Sequence, residues 1–320
     1  VTRREPRTVL ALCVAVAGFL LGLLLYAHID ARRENSRMPA AVPAQEGNAP
    51  AQVSNTPAHV DDSPPEEEHA PVESASLQPD PGTVEVDKPS PPMLAIVVDD
   101  FGYGRRGTTK ILELPYPLTV SVLPNLDLTK SDYERAIRSR HQVMLHLPME
   151  PMDDDVSPGE GAIVTGMTED EIRGALERCL EQVPRATAVN NHMGSRATAD
   201  ADVMMVVLTT LKERGLYWVD SSTTPESKGP LLSRLLGMPV VINNMFLDWE
   251  PTRGYIESRL LDAAARARDR GCAVAIGHVS EVFAEALAAV LPDIAAGGVS
   301  LVTVDQLVDY LASVSAGSES

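Results

Sequence analysis

Cysteine is nearly absent from this chain: Cys13, Cys179 and Cys272 are the only three in 320 residues, and no two form a CxxC pair. That leaves little for a disulfide framework and nothing for a cysteine-built zinc or redox motif. A bridge between Cys179 and Cys272 stays open for an oxidising compartment, but their positions read better as two buried free thiols. Positive charge is scarce as well. The 27 Lys and Arg residues stand against 45 Asp and Glu, a net charge of −18, which makes the chain a poor partner for nucleic acid. Between residues 38 and 92 apolar periodicity is missing altogether. Proline recurs from Pro39 to Pro92, with acidic clusters at Asp61-Asp62 and Glu66-Glu67-Glu68. Such a stretch has nothing to fold around, and proline and charge repulsion hold it extended. It reads as a disordered linker, and His59 and His69 within it are given no role.

One long hydrophobic run is present. Arg3, Arg4 and Arg7 precede an uncharged apolar stretch at about 9–27, long enough to cross a bilayer. No small-x-small cleavage site follows before Asp30, so residues 1–37 read as an uncleaved membrane-targeting segment in preference to a cleaved signal peptide. Arg32, Arg33 and Arg37 blunt the positive-inside signal. The short N-terminal tail favours a single pass through a bacterial inner membrane, with the C-terminal domain in the periplasm.

Residues 93–320 form the folded domain. Apolar runs at 94–98, 118–123, 143–147, 187–190, 216–219, 239–242, 273–276 and 300–304 alternate with helix-like stretches such as 168–182, 200–214 and 252–270. Thr168-Glu-Asp-Glu171 predicts a capping box, and Gly215 a helix stop. The alternation predicts an α/β fold with a parallel sheet. Eight units suit a closed or nearly closed (β/α) barrel; a doubly wound open sheet is the alternative, and periodicity does not separate them.

The chemistry gathers after the strands. The first run ends in Asp99-Asp100-Phe-Gly102, two carboxylates where charge is expensive without a cation, a proton or water. His146, His192, Asp220 and His278 fall at the same end of their runs, whereas His141 precedes its strand and reads as a surface residue. Each residue alone has a plain structural reading as a cap, a turn or a hydrogen-bonded core residue. Together, Asp and His at five strand ends suit a Zn²⁺-like ion with positions left for water. A second carboxylate would take a proton and His278 would give one, which describes a hydrolase of a carbonyl compound.

These residues carry a resemblance. Val-Val-Asp99-Asp100-Phe-Gly, Leu123-Pro-Asn125, His146-Leu-Pro-Met-Glu-Pro151, Asn190-Asn-His-Met-Gly-Ser195, Val-Asp220-Ser-Ser-Thr and Ile-Gly-His278, in this order, resemble the divergent polysaccharide deacetylases. That family is a branch of the carbohydrate esterase group that includes the chitin and peptidoglycan deacetylases. The resemblance covers about 93–311. It implies a distorted (β/α) barrel of parallel strands and metal-dependent removal of acetyl groups from amino sugars. By correspondence Asp99 is the catalytic base, Asp100 a metal ligand, His146 the first ligating histidine and His278 the general acid. The second ligating histidine is absent, because Glu150 stands four residues after His146. An arginine-proline motif is replaced by Asn191-His192-Met193. The metal set is therefore Asp100, His146 and His192, with Glu150 in reserve and zinc the expected ion. Asn191, Asp220, Ser221 and Asp248 are assigned to substrate binding. The partner is a glycan, peptidoglycan or another N-acetylated polysaccharide. The alternative is a catalytically inactive domain that binds glycan or scaffolds the envelope from its membrane tether.

Overall fold

The computed structural model describes residues 91–317. The anchor expected at about 9–27 and nearly all of the linker lie outside them. Among the described residues no helix is long and apolar enough to cross a membrane.

The eight apolar runs coincide with strands β1 (Met93–Phe101), β2 (Thr119–Val122), β3 (Gln142–Met149), β4 (Ala188–Met193), β5 (Tyr217–Asp220), β6 (Val241–Ile242), β8 (Cys272–His278) and β9 (Ser300–Val302). One further strand, β7 (Met245–Phe246), is too short to leave a pattern of its own. The strands pair in parallel in the order β6-β5-β4-β3-β2-β1-β8-β7. Read as a ring, that order is simply the chain order, as a (β/α) barrel requires and a doubly wound sheet does not. The ends β6 and β7 are joined by Asn243-Asn244, whose backbone N–H groups donate to Asp220 O on one side and Val274 O on the other. One segment thus bonds to β5 with its first half and to β8 with its second. The result is a parallel-strand (β/α) half-barrel whose two ends are tied by a single stretch of chain.

The helices are α1 (Thr108–Leu112), α2 (Thr129–Arg138), α3 (Glu169–Leu180), α4 (Ala201–Glu213), α5 (Gly229–Leu235), α6 (Arg253–Arg270), α7 (Glu281–Ala296) and α8 (Val304–Gly317). Thr168 and Glu171 form the expected capping box at the start of α3. Asp200 caps α4, accepting from the backbone of Asp202 and Val203.

Strand periodicity sorts the core into two faces. Leu94, Ile96 and Val98 belong to the large apolar cluster that includes the helices, as do Val143, Leu145 and Leu147. Their neighbours Ala95, Val97, Met144, Ala188, Val219, Val274 and Ile276 form a second cluster on the inner face, joined by Val304 and Leu307 of α8. Below that layer lies a buried polar floor around Gln142. Its Oε1 accepts from Thr119 Oγ1 at 2.8 Å and Asp305 N at 2.9 Å. Its Nε2 donates to Thr187 Oγ1 and Tyr217 OH at 3.0 Å and to Asp305 Oδ1 at 2.8 Å. These bonds hold the start of α8 across the amino end of the barrel. Gln142→Leu would orphan several buried groups at once, and we expect it to lower unfolding stability by about 2–4 kcal/mol. Urea denaturation measures this; a loss below about 1 kcal/mol would show that the floor does not hold α8.

Candidate metal and acid–base site

The two-residue step that builds the inner apolar layer carries polar groups above it. Ala95 and Val97 lead to Asp99, Met144 to His146, Ala188 to Asn190 and His192, and Val274 and Ile276 to His278. Parallel register sets these side by side: Asp99 is opposite His278, and His146 opposite Asn190. Asp100 would point away in a regular strand. The pairing of β1 with β2 shifts between Val98 and Phe101, and Asp100 has φ +69°. This bulge in the left-handed region turns Asp100 to the same side as Asp99. The following turn is braced by Gly102 N donating to the buried carboxylate of Asp132 at 3.0 Å.

Asp100, His146 and His192 converge. Asp100 Oδ1 lies 3.5 Å from His146 Nε2 and 3.3 Å from His192 Nδ1, and these two nitrogens are 3.2 Å apart. All three residues are buried. Burial alone would raise the Asp100 pKa, but the two imidazoles overcome it and hold the carboxyl well below its usual range. Burial likewise works against a proton on His146; Asp99 and Asp100 reverse that, and its pKa is raised. Arg105 adds a cation, its Nη2 3.4 Å from Asp100 Oδ2.

The site's fit to a metal rests on this geometry. A tetrahedral ion with bonds of about 2.0–2.1 Å needs donors about 3.3 Å apart, close to the three separations found. Asp100 Oδ1 is buried without a geometrically sound hydrogen bond, the state expected of an oxygen aimed at a cation. Imidazole and carboxylate are also the donors such an ion takes. The residues fit.

Beside this trio, Asp99 is buried, which raises its pKa even though His146 and His278 oppose the shift. Asn190, noticed in the sequence only as a neighbour of His192, is 0 % exposed and touches both Asp99 and His146. At the rim, Asp248 Oδ2 accepts from His278 N at 2.6 Å, and its Oδ1 lies 3.1 Å from His278 Nδ1. Desolvation disfavours the His278 cation, but Asp248 outweighs it and the pKa is pushed up to about 10. Asp248 therefore reaches the site through His278.

The remaining assigned residues stand apart from the trio. Glu150 Oε2 accepts from Thr165 N and Thr165 Oγ1, both at 2.6 Å, and Oε1 is 3.8 Å from Arg196 Nε. Its carboxylate holds the β3 loop, and the group of candidate ligands found among the described residues is Asp100, His146 and His192. Asp220 accepts from Ser227 Oγ, Ser222 N and Trp218 Nε1, tying down the 222–229 loop. Asn191 accepts from Ser221 N and donates to Met193 O and Thr223 Oγ1. Ser221 lies beside Asn190, at 3.3 Å. His141 is buried, not at the surface as its place before a strand suggests, and burial lowers its pKa. Cys179 and Cys272 are free thiols, the first buried and pushed up to about 11, the second half-buried.

A parallel (β/α) half-barrel with two aspartates and three histidines gathered at the carboxyl ends of its strands defines a narrow class of domain. The family model of the divergent polysaccharide deacetylases matches residues 96–308, and the chain belongs to that family. It is 32 % identical over 185 residues to the uncharacterized protein YibQ of Escherichia coli K12, covering 58 % of each chain. An uncharacterized protein of Haemophilus influenzae is 30 % identical over 185 residues, 58 % of this chain and 66 % of its own. The chain thus spans less than two thirds of both relatives. Among solved structures, an uncharacterized protein of Agrobacterium tumefaciens C58 shares the fold with a TM-score of 0.65 at 23 % identity, over 68 % of this chain and 89 % of that one.

The His278–Asp248 pair has a pH signature. With the folded pKa raised to about 10 from an ordinary value of about 6.5, its stabilisation is complete below about pH 6.5. It is lost as pH rises through 10. The ring's 41 % exposure means that water screens the pair. The melting-temperature gap between the native chain and Asp248→Asn is expected to be widest near pH 6 and to close by about pH 10–11. A gap constant with pH would show that Asp248 acts through packing alone.

Proposed function

We propose that the domain is a metal-dependent hydrolase that removes acetyl groups from N-acetylated amino sugars of an envelope glycan. The observation that carries this is the convergence of Asp100, His146 and His192 to within 3.5 Å of one another, with Asp99 and His278 paired beside them. Asp100 Oδ1, His146 Nε2 and His192 Nδ1 are the atoms that would hold the ion, with zinc the best match to their chemistry. A divalent ion there supplies Lewis acidity toward a carbonyl oxygen and acidifies water.

The chain's own residues supply the proton chemistry. Asp99 accepts a proton from the attacking water; its raised pKa moves it toward the range in which a carboxylate serves as a base. His278 keeps its proton past neutral pH because Asp248 faces its Nδ1, leaving Nε2–H to protonate the departing nitrogen. Acid and base sit on adjacent strands at one register position, Asp99 opposite His278. A domain kept only for binding glycan would not need this acid–base pair, which supports the enzyme over the inactive scaffold. On the same reading residues 1–37 anchor the chain in the inner membrane and 38–92 space the 93–320 domain into the periplasm, within reach of peptidoglycan.

The test uses the full chain on N-acetylglucosamine oligomers with Zn²⁺, Co²⁺ or Mn²⁺, measuring acetate release, and elemental analysis of the protein. Asp99→Asn is expected to retain metal and lose at least about 100-fold in rate. His192→Ala should lose metal, and Glu150→Ala should keep it. No acetate across all metals and several glycans would sink the catalytic reading, and full occupancy in His192→Ala would sink the ligand set.

A further inference from the structure

Every polar atom of the Asn190 side chain is engaged. Oδ1 accepts from Ser121 Oγ at 2.5 Å and faces His146 Nδ1 at 2.9 Å. Nδ2 donates to Asp99 Oδ1 at 2.9 Å and Oδ2 at 3.1 Å, with Ser221 Oγ at 3.3 Å. The sense of the amide is set by chemistry. An ionised Asp99 can only accept, so the nitrogen must face it and the oxygen must face the ring. Since that oxygen accepts, His146 Nδ1 carries hydrogen. In the neutral ring the lone pair then falls on Nε2, the atom facing Asp100 and His192.

Resting on the functional reading above, we propose that Asn190 is a positioning residue that locks the base and a metal ligand to each other. Its amide nitrogen donates to the Asp99 carboxylate, and its carbonyl fixes His146 as the Nδ1–H tautomer with Nε2 free for the ion. A carboxamide is suited to this because it offers a donor and an acceptor in one rigid plane. A carboxylate at that position could hold the imidazole but would repel Asp99, and an apolar residue could do neither. The backbone sets the arrangement, since His146 and Asn190 are register partners on β3 and β4. Ser121 and Ser221 flank the amide, each bonded to one of its ends. The competing account is that Asn190 only satisfies buried polar groups, in which case its loss would cost stability and nothing else.

The two accounts separate on the full chain with variants Asn190→Asp, Asn190→Leu and Ser121→Ala. Four readouts apply: Zn²⁺ affinity by competition with a chromophoric chelator, the His146 tautomer in the Zn²⁺-loaded protein by long-range ¹⁵N–¹H correlation, metal-free thermal unfolding, and acetate release. Asn190→Asp keeps an acceptor for the ring, so it should bind Zn²⁺ at least as tightly as the native chain with the Nδ1–H signal intact. Its turnover should fall at least about 100-fold as Asp99 loses its donor. Asn190→Leu should weaken Zn²⁺ binding about 10–100-fold and let the other tautomer of His146 appear. Ser121→Ala removes one donor from the Asn190 oxygen and should change Zn²⁺ affinity and turnover less than either Asn190 variant; an effect as large as that of Asn190→Leu would assign the positioning to the serine and overturn the proposal. Should the Leu variant not fold, the near-isosteric Asp variant still decides: turnover equal to the native chain overturns the proposal. Leu-variant Zn²⁺ affinity and tautomer unchanged from native overturn it as well. A native chain that binds no Zn²⁺ overturns the functional reading itself, an outcome distinct from either.

Discussion

Adjacent residues of a regular strand face opposite ways, and this site needs Asp99 and Asp100 to face the same way. The bulge at the end of β1 meets that need, and the rest of the site is arranged around it. It puts an L-residue at φ +69°, a conformation that disfavours most side chains by about 1–2 kcal/mol and aspartate somewhat less. It also brings two carboxylates into a buried layer, where each needs compensation. His146 and His192 supply it to Asp100, with Arg105 on its other oxygen. Asn190 and His146 supply it to Asp99. The strain and the charge are thus concentrated at one point and answered by residues from β3, β4 and the loop after β1.

Beneath that point the barrel is conventional. The inner positions of each strand are apolar through the middle of the sheet, polar at the floor and ionisable at the top. This layering lets the stability of the domain rest on Val, Ile, Ala and Met side chains that take no part in the chemistry. The upper layer can then hold buried charges that must compensate one another.

Much of this was legible in residue order. Each apolar run became a strand because buried parallel strands require continuous apolar sequence, and the chemistry-bearing residues lie at the predicted ends. Three features were not legible. Asp248 gives no sign of its partner His278, which lies thirty residues on and comes near through the pairing of β7 with β8. Glu150 and His192 were rivals by sequence, since nothing local showed that Thr165 and Arg196 would occupy the Glu150 carboxylate. Asn190 carried no signal as a bridge, because its partners Asp99, Ser121, His146 and Ser221 come from four separate strands or strand ends. Long-range partnership is what a one-dimensional pattern leaves out. The buried His141 is the converse case: a polar residue before a strand suggested solvent, and packing overrode it.

The first strand of the domain lies between strands from its far end. Met93 pairs with both Cys272 and Ser300, and Val97 with Thr119. The first segment of the domain to be made therefore waits for partners among the last, and the start of α8 closes the floor only after β9. Contacts of such sequence separation make folding slow relative to local folds. They also mean that no N-terminal fragment holds a finished sheet. During synthesis β1 to β6 can pair with their chain neighbours as they appear, while β8, β9 and the floor contacts of α8 arrive only near the end.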